Sequence, residues 1–272
     1  MNVTRVGLDL TKDVFQVHGV DRHDRVVVRR RLKRSQVAEF FSQLEPCVVG
    51  MEACAGAHYW AGELGMLGHT VRMMAPQFVK PYVKSQKNDA NDAEAICEAA
   101  GRANMRFVKP KNQEQRQRQA VHRVRSQLVK SRTALANELR AVAAEFGLVA
   151  PQRIDQLRRA VPIWLEEANG LDEPVRRLMR GMYEDLQRLD ARVGELDAEI
   201  KRIANSDPMA KLLQTIPGIG PVTASALSAA VGDGSQFKRG RDLSAVLGLV
   251  PRQHSSGGKD RLLGITKAGD PY

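Results

Sequence analysis

The sequence predicts an α/β amino-terminal domain, a long helical arm and a mainly α-helical carboxy-terminal domain. Three observations lead to this prediction. Residues 1–107 alternate short apolar runs with amphipathic stretches, which is the pattern of strands and helices in turn. Residues 108–207 contain two long stretches with an apolar residue every three or four positions, and residues 208–272 contain shorter helical stretches around glycine-rich turns. We therefore expect three regions, with boundaries after residues 107 and 207.

Five strands and three helices are predicted in the first region. They are expected at residues 3–10, 13–20, 25–32, 47–52 and 70–75 for the strands and at residues 35–44, 58–67 and 91–102 for the helices. The fourth strand is apolar throughout, which indicates a central position in the sheet. Three consecutive strands followed by alternating helices and strands is the order of the ribonuclease-H-like fold. In that fold the first and fourth strands lie side by side at the centre.

Four carboxylates lie at the ends of these predicted elements. Asp9 and Glu52 end the first and fourth strands, whereas Asp89 and Asp92 lie three residues apart at the third helix, which places them on one helix face. Gathering four carboxylates costs repulsion unless a cation neutralises them, and carboxylate oxygens suit Mg²⁺ or Mn²⁺. We therefore expect a metal site that acts on nucleic-acid phosphates. Taken singly, Asp89 could cap the helix, Asp9 could be a turn residue and Glu52 could pair with an arginine.

Two long helices are expected in the second region. The first covers residues 113–147 and the second covers about residues 173–204. The second helix carries a heptad seam formed by Met182, Leu186, Leu189, Val193, Leu196, Ile200 and Ile203. A strict seam of this kind favours a coiled coil between two copies of the chain. Packing of the two helices on each other within one chain is the alternative.

Basic side chains are concentrated at the start of this arm. The formal net charge is +11, which favours a polyanionic partner. Between residues 109 and 132, Glu114 alone opposes the cations, which are Lys109, Lys111, Arg116, Arg118, Arg123, Arg125, Lys130 and Arg132. A solvated helix face normally mixes charges of both signs, so we expect this helix to follow a nucleic-acid backbone. Aromatic residues make up only 5% of the chain, so stacking on bases is not the expected mode of contact.

Two glycine-rich turns mark the third region. Gly218 and Gly220 join two helical stretches in a helix-hairpin-helix pattern, whose free backbone amides can hold a DNA phosphate. The second turn is rich in serine and glycine and contains Ser255 and Ser256. Composition alone indicates a flexible loop, but a serine there could also attack a phosphate. The cations expected to hold that phosphate are Arg252, Lys259 and Arg261. His254 is expected to be structural.

The sequence also predicts a cytoplasmic protein. Cys47, Cys54 and Cys97 form no metal-binding or paired spacing, and we expect free thiols in a reducing compartment. No signal peptide and no run of apolar residues long enough for a membrane span is present. The chain stops at Tyr272 without a closing helix or strand, which indicates truncation.

Motifs in order along the chain resemble those of the DEDD insertion-sequence transposases with a RuvC-like amino-terminal domain, the IS110 family, and in particular its IS1111 branch. The matching segments are VGLD at residues 6–9, MEAC at 51–54, KNDANDA at 87–93, IPGIG at 216–220, GLVP at 248–251 and SG at 256–257. They cover nearly the whole chain.

The resemblance implies a function and roles for residues. Members of the family are DNA recombinases that excise and insert their own element, so the partners would be double-stranded DNA of the element ends and of the target. The four carboxylates would bind Mg²⁺ or Mn²⁺, and Ser256 would form a covalent phosphoserine link to DNA, with Ser255 as its rival. Composite active sites would imply a homo-oligomer, a dimer or a tetramer. Some members read DNA through a non-coding bridge RNA.

Two other functions stay open at this point. A RuvC-type junction resolvase or nuclease would need the carboxylates but not Ser256, and it would release free DNA ends. A non-catalytic helix-hairpin-helix DNA-binding protein would need neither centre.

Overall fold

The computed structural model describes residues 2–84, 88–166, 170–267 and 269. The chain divides into two compact units, Met1–Asn112 and Gln113–Tyr272, where the sequence predicted three regions. Lys87, the first residue of one motif, and Tyr272, where truncation was expected, lie outside the described residues. Over the described part of the chain, no helix combines the length and apolar character needed to cross a membrane.

A mixed six-stranded sheet forms the first unit. Its strands are β1 (Arg5–Asp9), β2 (Val14–Val20), β3 (Val26–Lys33), β4 (Val48–Glu52), β5 (Thr70–Met74) and β6 (Phe107–Val108). Their order in the sheet is β3-β2-β1-β4-β5-β6. Strand β1 pairs antiparallel with β2 and parallel with β4, so the predicted adjacency of the first and fourth strands is confirmed. The sequence did not predict β6, which is short and exposed.

Helices cover both faces of this sheet. They are α1 (Val37–Ser42), α2 (Ala57–Met66), α3 (Pro76–Val79) and α4 (Asp89–Ala100). Val6 and Leu8 of β1 pack in one core with Phe41 of α1 and Trp60 of α2. Because side chains alternate along a strand, the residues between them face the opposite side of the sheet. Helix α4 packs on that side, against β1 and β4.

The second unit is mainly helical. It contains α5 (Gln113–Ala144), α6 (Ile154–Trp164), α7 (Glu173–Ser206), α8 (Pro208–Leu213), α9 (Pro221–Val231), α10 (Gly240–Val246) and a hairpin of β7 (Pro251–Gln253) and β8 (Leu262–Ile265). Ala136 and Leu139 of α5 share a buried core with Met179 and Leu186 of α7. The two long helices therefore pack on each other within one chain.

The heptad seam of α7 lies inside this intrachain packing. The residues of α7 that are buried are Arg176, Met179, Leu186, Val193, Ile200 and Ala204. Four of them repeat every seven positions, which is the spacing of the seam. The structure therefore has the alternative arrangement, in which the two long helices pack on each other within one chain. This packing buries part of the seam through which we expected a coiled coil between two copies.

Candidate active site

The register of two parallel strands brings Asp9 and Glu52 to the same end of the sheet. Leu8 of β1 pairs with Met51 of β4, so the next residues on the two strands, Asp9 and Glu52, are neighbours. Both side chains are partly exposed. Adjacent parallel strands thus end in two carboxylates, as the sequence predicted.

Two glycines bring α4 close to the face on which these carboxylates lie. A Cβ atom added at Gly7 would lie 2.0 Å from the Ala93 carbonyl oxygen, and one at Gly50 would lie 2.5 Å from the Ala100 Cβ atom. Residues two positions apart on a strand share a face, so Asp9 lies on the side of Gly7 and Glu52 on the side of Gly50. Helix α4 therefore runs over the face that carries both carboxylates.

The first turn of α4 carries the other two carboxylates. Asn88 caps the helix by accepting a hydrogen bond from the Asn91 backbone N–H at 2.9 Å. The capping role that Asp89 could have had is therefore filled by its neighbour. Asp89 and Asp92 both lie in the first turn, where the helix dipole favours negative charge.

The electrostatics of Asp9 link the four groups, which we call the carboxylate cluster (Asp9, Glu52, Asp89 and Asp92). Burial, followed by the charges of Asp92, Asp89 and Glu52, raises the pKa of Asp9 from 3.8 to about 6. A nearby negative charge disfavours a second one, and burial removes solvating water. The strand ends and the helix start therefore lie within electrostatic reach of one another.

The carboxylate cluster has the donor chemistry of a site for a hard divalent cation, but not yet its ligating geometry. Among the described residues, no three His, Cys, Asp or Glu side chains are arranged closely enough to hold a metal ion. Like charges move apart unless a cation lies between them, and the raised pKa of Asp9 reflects the same repulsion. Mg²⁺ or Mn²⁺ fits this all-oxygen donor set.

The predicted serine loop of the second unit is the tip of a β-hairpin rather than an irregular loop. Ser256 forms a β-bridge with Lys259, and the two residues between them, Gly257 and Gly258, have φ of +57° and +77°. Positive φ at both central residues is the geometry of a tight type I′ hairpin turn, which glycine adopts without strain. The turn therefore presents Ser256 at a defined position.

The two serines of this hairpin differ in their hydrogen bonds. Ser255 Oγ accepts hydrogen bonds from Gln253 Nε2 at 2.8 Å and from the Arg261 backbone N–H at 3.4 Å. The Ser256 side chain is exposed and makes no hydrogen bond to any described residue. Ser256 is thus the serine available to an incoming group. Arg252, Lys259 and Arg261 are all exposed around it.

Three of the α5 cations expected to bind nucleic acid are engaged inside the second unit. Arg118 Nη1 lies 2.6 Å from Asp207 Oδ2, with 15% and 7% of the two side chains exposed. Further along α5, Arg125 pairs with Asp197 and Arg132 pairs with Asp190. These arginines recur every seven residues and therefore share the face that α7 covers. In the structure these three arginines make ion pairs within the helical packing.

Other residues that were predicted to contact nucleic acid are exposed or half-buried. Arg123 and Lys130 are exposed and Arg116 is half-buried; they also repeat every seven positions, on a different face of α5. Gly218 has φ of +87° and Gly220 precedes Pro221 at the start of α9, as a tight turn between α8 and α9 requires. Lys109 and Lys111 belong to the first unit.

Sequence reasoning missed cations at the end of the sheet that carries Asp9. Strand β3 pairs antiparallel with β2, with Lys33 opposite Val14. Because β2 also runs antiparallel to β1, β3 ends where β1 ends. Lys33 and Arg34 therefore lie at the carboxylate end. The signal in the sequence was that every residue from 29 to 34 except Leu32 is basic.

Two family models match the chain. One, for the DEDD transposases of IS110, matches residues 6–147, which contain the carboxylate cluster. The other is described as the transposase IS116/IS110/IS902 family and matches residues 210–272, which contain the serine hairpin.

Relatives resemble the chain over nearly its whole length. A probable family 20 transposase of Pseudomonas aeruginosa is 54% identical over 274 residues, which cover 100% of this chain and 81% of the relative. The transposase of IS1328 from Yersinia enterocolitica is 42% identical and covers 99% of this chain and 80% of its own length. The transposase of IS1111A from Coxiella burnetii is 45% identical over 97% of this chain and 73% of its own length.

Proposed function

This chain belongs to the IS110 family of DEDD transposases and is a DNA transposase, and we propose that it cuts and joins DNA with two centres. The first centre is the carboxylate cluster at the end of the sheet. The second is Ser256 at the tip of the β7–β8 hairpin. The observation that carries the first centre is the convergence of four carboxylates, because β1 and β4 end side by side in Asp9 and Glu52 and α4, which begins with Asp89 and Asp92, packs on the same face.

The carboxylate cluster would hold a divalent cation, Mg²⁺ or Mn²⁺. Such an ion supplies polarisation of the scissile phosphate and stabilises the negative charge that develops on it. Asp9 and Glu52 would hold it from the two strand ends, and Asp89 and Asp92 from the first turn of α4. The two strands are paired and α4 packs closely against both, so the ligands start from rigid elements, as precise positioning of a phosphate requires.

Ser256 would supply the nucleophile. Its hydroxyl gives up a proton as Oγ forms a bond to phosphorus, and the bond from phosphorus to the leaving strand's oxygen breaks. That oxygen leaves as a free hydroxyl after taking up a proton. The number of phosphate ester bonds is unchanged, so a later strand can displace the serine without an outside energy source. Lys259 and Arg261, exposed on the same hairpin, would stabilise the phosphate charge.

Double-stranded DNA of the element ends and the target is the proposed substrate. Arg123, Lys130 and Arg116 on the outward face of α5, and the turn at Gly218 and Gly220, would contact its backbone and position it without reading sequence. A ribonuclease-H-like fold for the first unit fits its sheet order. A homo-oligomer in which one copy's serine serves another copy's carboxylates, and a non-coding bridge RNA that reads DNA, are further parts of the proposal that stem from the family resemblance.

A cleavage assay tests the carboxylate part of this proposal. Labelled DNA carrying the element end is incubated with the chain and Mg²⁺ or Mn²⁺, with Asp9→Asn and Glu39→Gln alongside. Glu39 is an exposed carboxylate of α1 and serves as the control. We expect cleavage by the unmodified chain and by Glu39→Gln, and loss of at least about a hundredfold in rate for Asp9→Asn. Unchanged cleavage by Asp9→Asn would contradict the carboxylate site, whereas DNA binding without any cleavage by the unmodified chain would favour the third function, DNA binding alone.

A further inference from the structure

A broad open pocket of about 690 Å³ lies at the carboxylate end of the first unit. Its walls come from the start of β2, from the turn after β3 and from α2, and they include Asp13, Lys33, Arg34, Tyr59 and Trp60. Its volume is in the range of about 300–1,000 Å³ that small-molecule sites occupy. The pocket is therefore large enough for a single nucleotide.

Flat aromatic and guanidinium surfaces form part of this pocket. The Arg34 guanidinium carbon lies over the Trp60 ring at 5.3 Å from its centroid and 5.8 Å from that of Phe15. Tyr59 meets Trp60 edge-on at 5.3 Å between ring centroids, and 43% of Tyr59 is exposed. Exposed aromatic rings and arginine planes are the surfaces on which unpaired bases stack.

Trp60 has a buried hydrogen-bond donor beneath the surface of the pocket. Its side chain is only 5% exposed, and its indole N–H is buried without an acceptor among the residues that the structure describes. A buried donor without a partner is costly and uncommon. This N–H lies beneath the surface of the pocket, so Trp60 contributes to the pocket through its ring.

The charge around the pocket is strongly positive. Lys33 and Arg34 line it, and Asp13 is the acidic residue of its lining. Arg30 of the adjoining edge strand β3 is exposed and lies over the Phe40 ring, on the same face of the sheet as the pocket. This is an environment for a phosphate-bearing ligand rather than for a neutral one.

The chain connects the pocket directly to the carboxylate cluster. After Asp9, β1 passes through a short turn to Asp13 in the pocket wall, and the segment after Glu52 leads into α2, which carries Tyr59. The pocket and the carboxylate cluster therefore share one end of the sheet but lie on its two opposite faces. A DNA strand that passes over this end of the sheet would reach both. The low aromatic content of the whole chain concealed this pocket, because it does not show that Tyr59, Trp60 and Phe15 lie close together.

We propose that this pocket holds an unpaired nucleotide of a single DNA strand that passes over the end of the sheet from the carboxylate cluster. The base stacks on Tyr59 and the Arg34 plane, and Lys33 contacts the adjoining phosphate. Bases in intact duplex are already stacked in the helix, so the pocket favours DNA whose strands are opened beside the carboxylate cluster. The inference rests on the proposed function, since it takes DNA to be the substrate at that end of the sheet.

Binding of a flapped DNA tests the pocket. The probe is a duplex with a short single-stranded flap that carries the fluorescent base 2-aminopurine at successive positions, and the fully paired duplex is the comparison. Affinity and 2-aminopurine fluorescence are measured for the unmodified chain, Tyr59→Ala, Tyr59→Phe and Met66→Ala. Met66 is the matched control, because it is a 76% exposed apolar residue at the other end of the same helix. Thermal melting verifies that each variant is folded.

The expected result is that Tyr59→Ala loses affinity for the flapped DNA but not for the duplex. Affinity for the flap falls about tenfold, as expected for the loss of one stacked base, whereas duplex affinity stays unchanged. Tyr59→Phe keeps the ring and stays close to the unmodified chain, as does Met66→Ala. Equal flap binding and equal fluorescence in Tyr59→Ala would overturn the pocket while leaving the proposed function intact. Tighter, Tyr59-dependent binding of an RNA flap would overturn the assignment to DNA. If the unmodified chain bound neither the flapped nor the fully paired DNA, the proposed function itself would be overturned.

Discussion

Asp9 carries a charge that the folded chain does not favour. It is partly buried at the end of β1, and three other carboxylates surround it closely enough to raise its pKa to about 6. Proteins keep such repulsion where the site has a task, since a residue chosen for stability alone would be neutral. A cation bound at the carboxylate cluster would be attracted by all four carboxylates and would offset their mutual repulsion.

Replacing Asp9 by Asn is predicted to stabilise the metal-free chain. The pKa of Asp9 is raised from 3.8 to about 6 on folding, so its carboxylate lowers the free energy of unfolding above pH 6. This effect fades as the pH falls and is gone below about pH 3.8, where both states hold the proton. Because Asp9 is partly exposed, we expect a gain of only about 1 kcal/mol for Asp9→Asn at pH 7.

Urea unfolding without divalent ions, at pH 7 and at pH 4, measures this gain. Glu39→Gln is the control and should change the free energy of unfolding little at either pH. A loss of stability in Asp9→Asn at pH 7, or a gain that does not shrink at pH 4, would contradict the account of the carboxylate cluster.

At the scale of secondary-structure elements, the cluster depends on how closely α4 approaches the sheet. Gly7 and Gly50 have no side chains, and alanines of α4 fill the narrow space between helix and strands. This packing carries Asp89 and Asp92 to the strand ends. A change that pushes α4 outward would therefore harm both stability and activity.

Gly7→Ala is predicted to test this approach. The added Cβ atom would meet the Ala93 carbonyl oxygen at 2.0 Å, so α4 must shift and we expect a loss of about 1–3 kcal/mol in the free energy of unfolding. The rate of DNA cleavage should fall by more than the decrease in the folded fraction explains. Gly62→Ala on α2, where nothing lies within 4 Å of the added atom, is the control and should be neutral or stabilising, as alanine is in a helix. Full cleavage activity in a folded Gly7→Ala variant would contradict the role of α4.

Two faces of α5 are predicted to respond differently to loss of a cation. Arg118→Ala removes the cationic partner of the buried Asp207, which keeps hydrogen bonds from Ser228 Oγ and the Met209 N–H, and should cost about 3 kcal/mol of stability. Arg123→Ala removes an exposed side chain, so stability should change by less than about 0.5 kcal/mol. Instead, its DNA affinity should fall, and the slope of log affinity against log salt should decrease by about 0.9.

Binding titrations over a salt series, paired with thermal unfolding of both variants, separate these effects. An unchanged salt slope in Arg123→Ala would show that the outward face of α5 does not contact phosphates.

Local pattern predicted much of this architecture, and the misses have physical causes. The strands that end in Asp9 and Glu52 followed from apolar runs, and their adjacency followed from the order of elements. The pairing of Arg118 with Asp207 could not be predicted from local pattern, because Asp207 lies far along the chain and only the packing of α7 on α5 brings it near. Asn88 and Asp89 are equally good caps by residue type, so local sequence could not choose between them.

At the scale of the whole molecule, the proposed chemistry is divided between two separate parts of the chain. The carboxylate cluster lies in the unit Met1–Asn112 and Ser256 in the unit Gln113–Tyr272. A nuclease needs only the first centre, whereas strand transfer through a covalent intermediate needs both. The central claim is therefore the covalent link between Ser256 and DNA.

Trapping of that link is the most direct test. End-labelled element DNA is incubated with the chain and Mg²⁺, then separated on a denaturing protein gel, with Ser256→Ala, Ser255→Ala and Asp9→Asn alongside. We predict a labelled protein band that persists in Ser255→Ala and is lost in Ser256→Ala and in Asp9→Asn. Cleaved DNA without any protein-linked label, or a labelled band that remains in Ser256→Ala, would contradict the two-centre account, and the former would identify a metal-dependent nuclease instead.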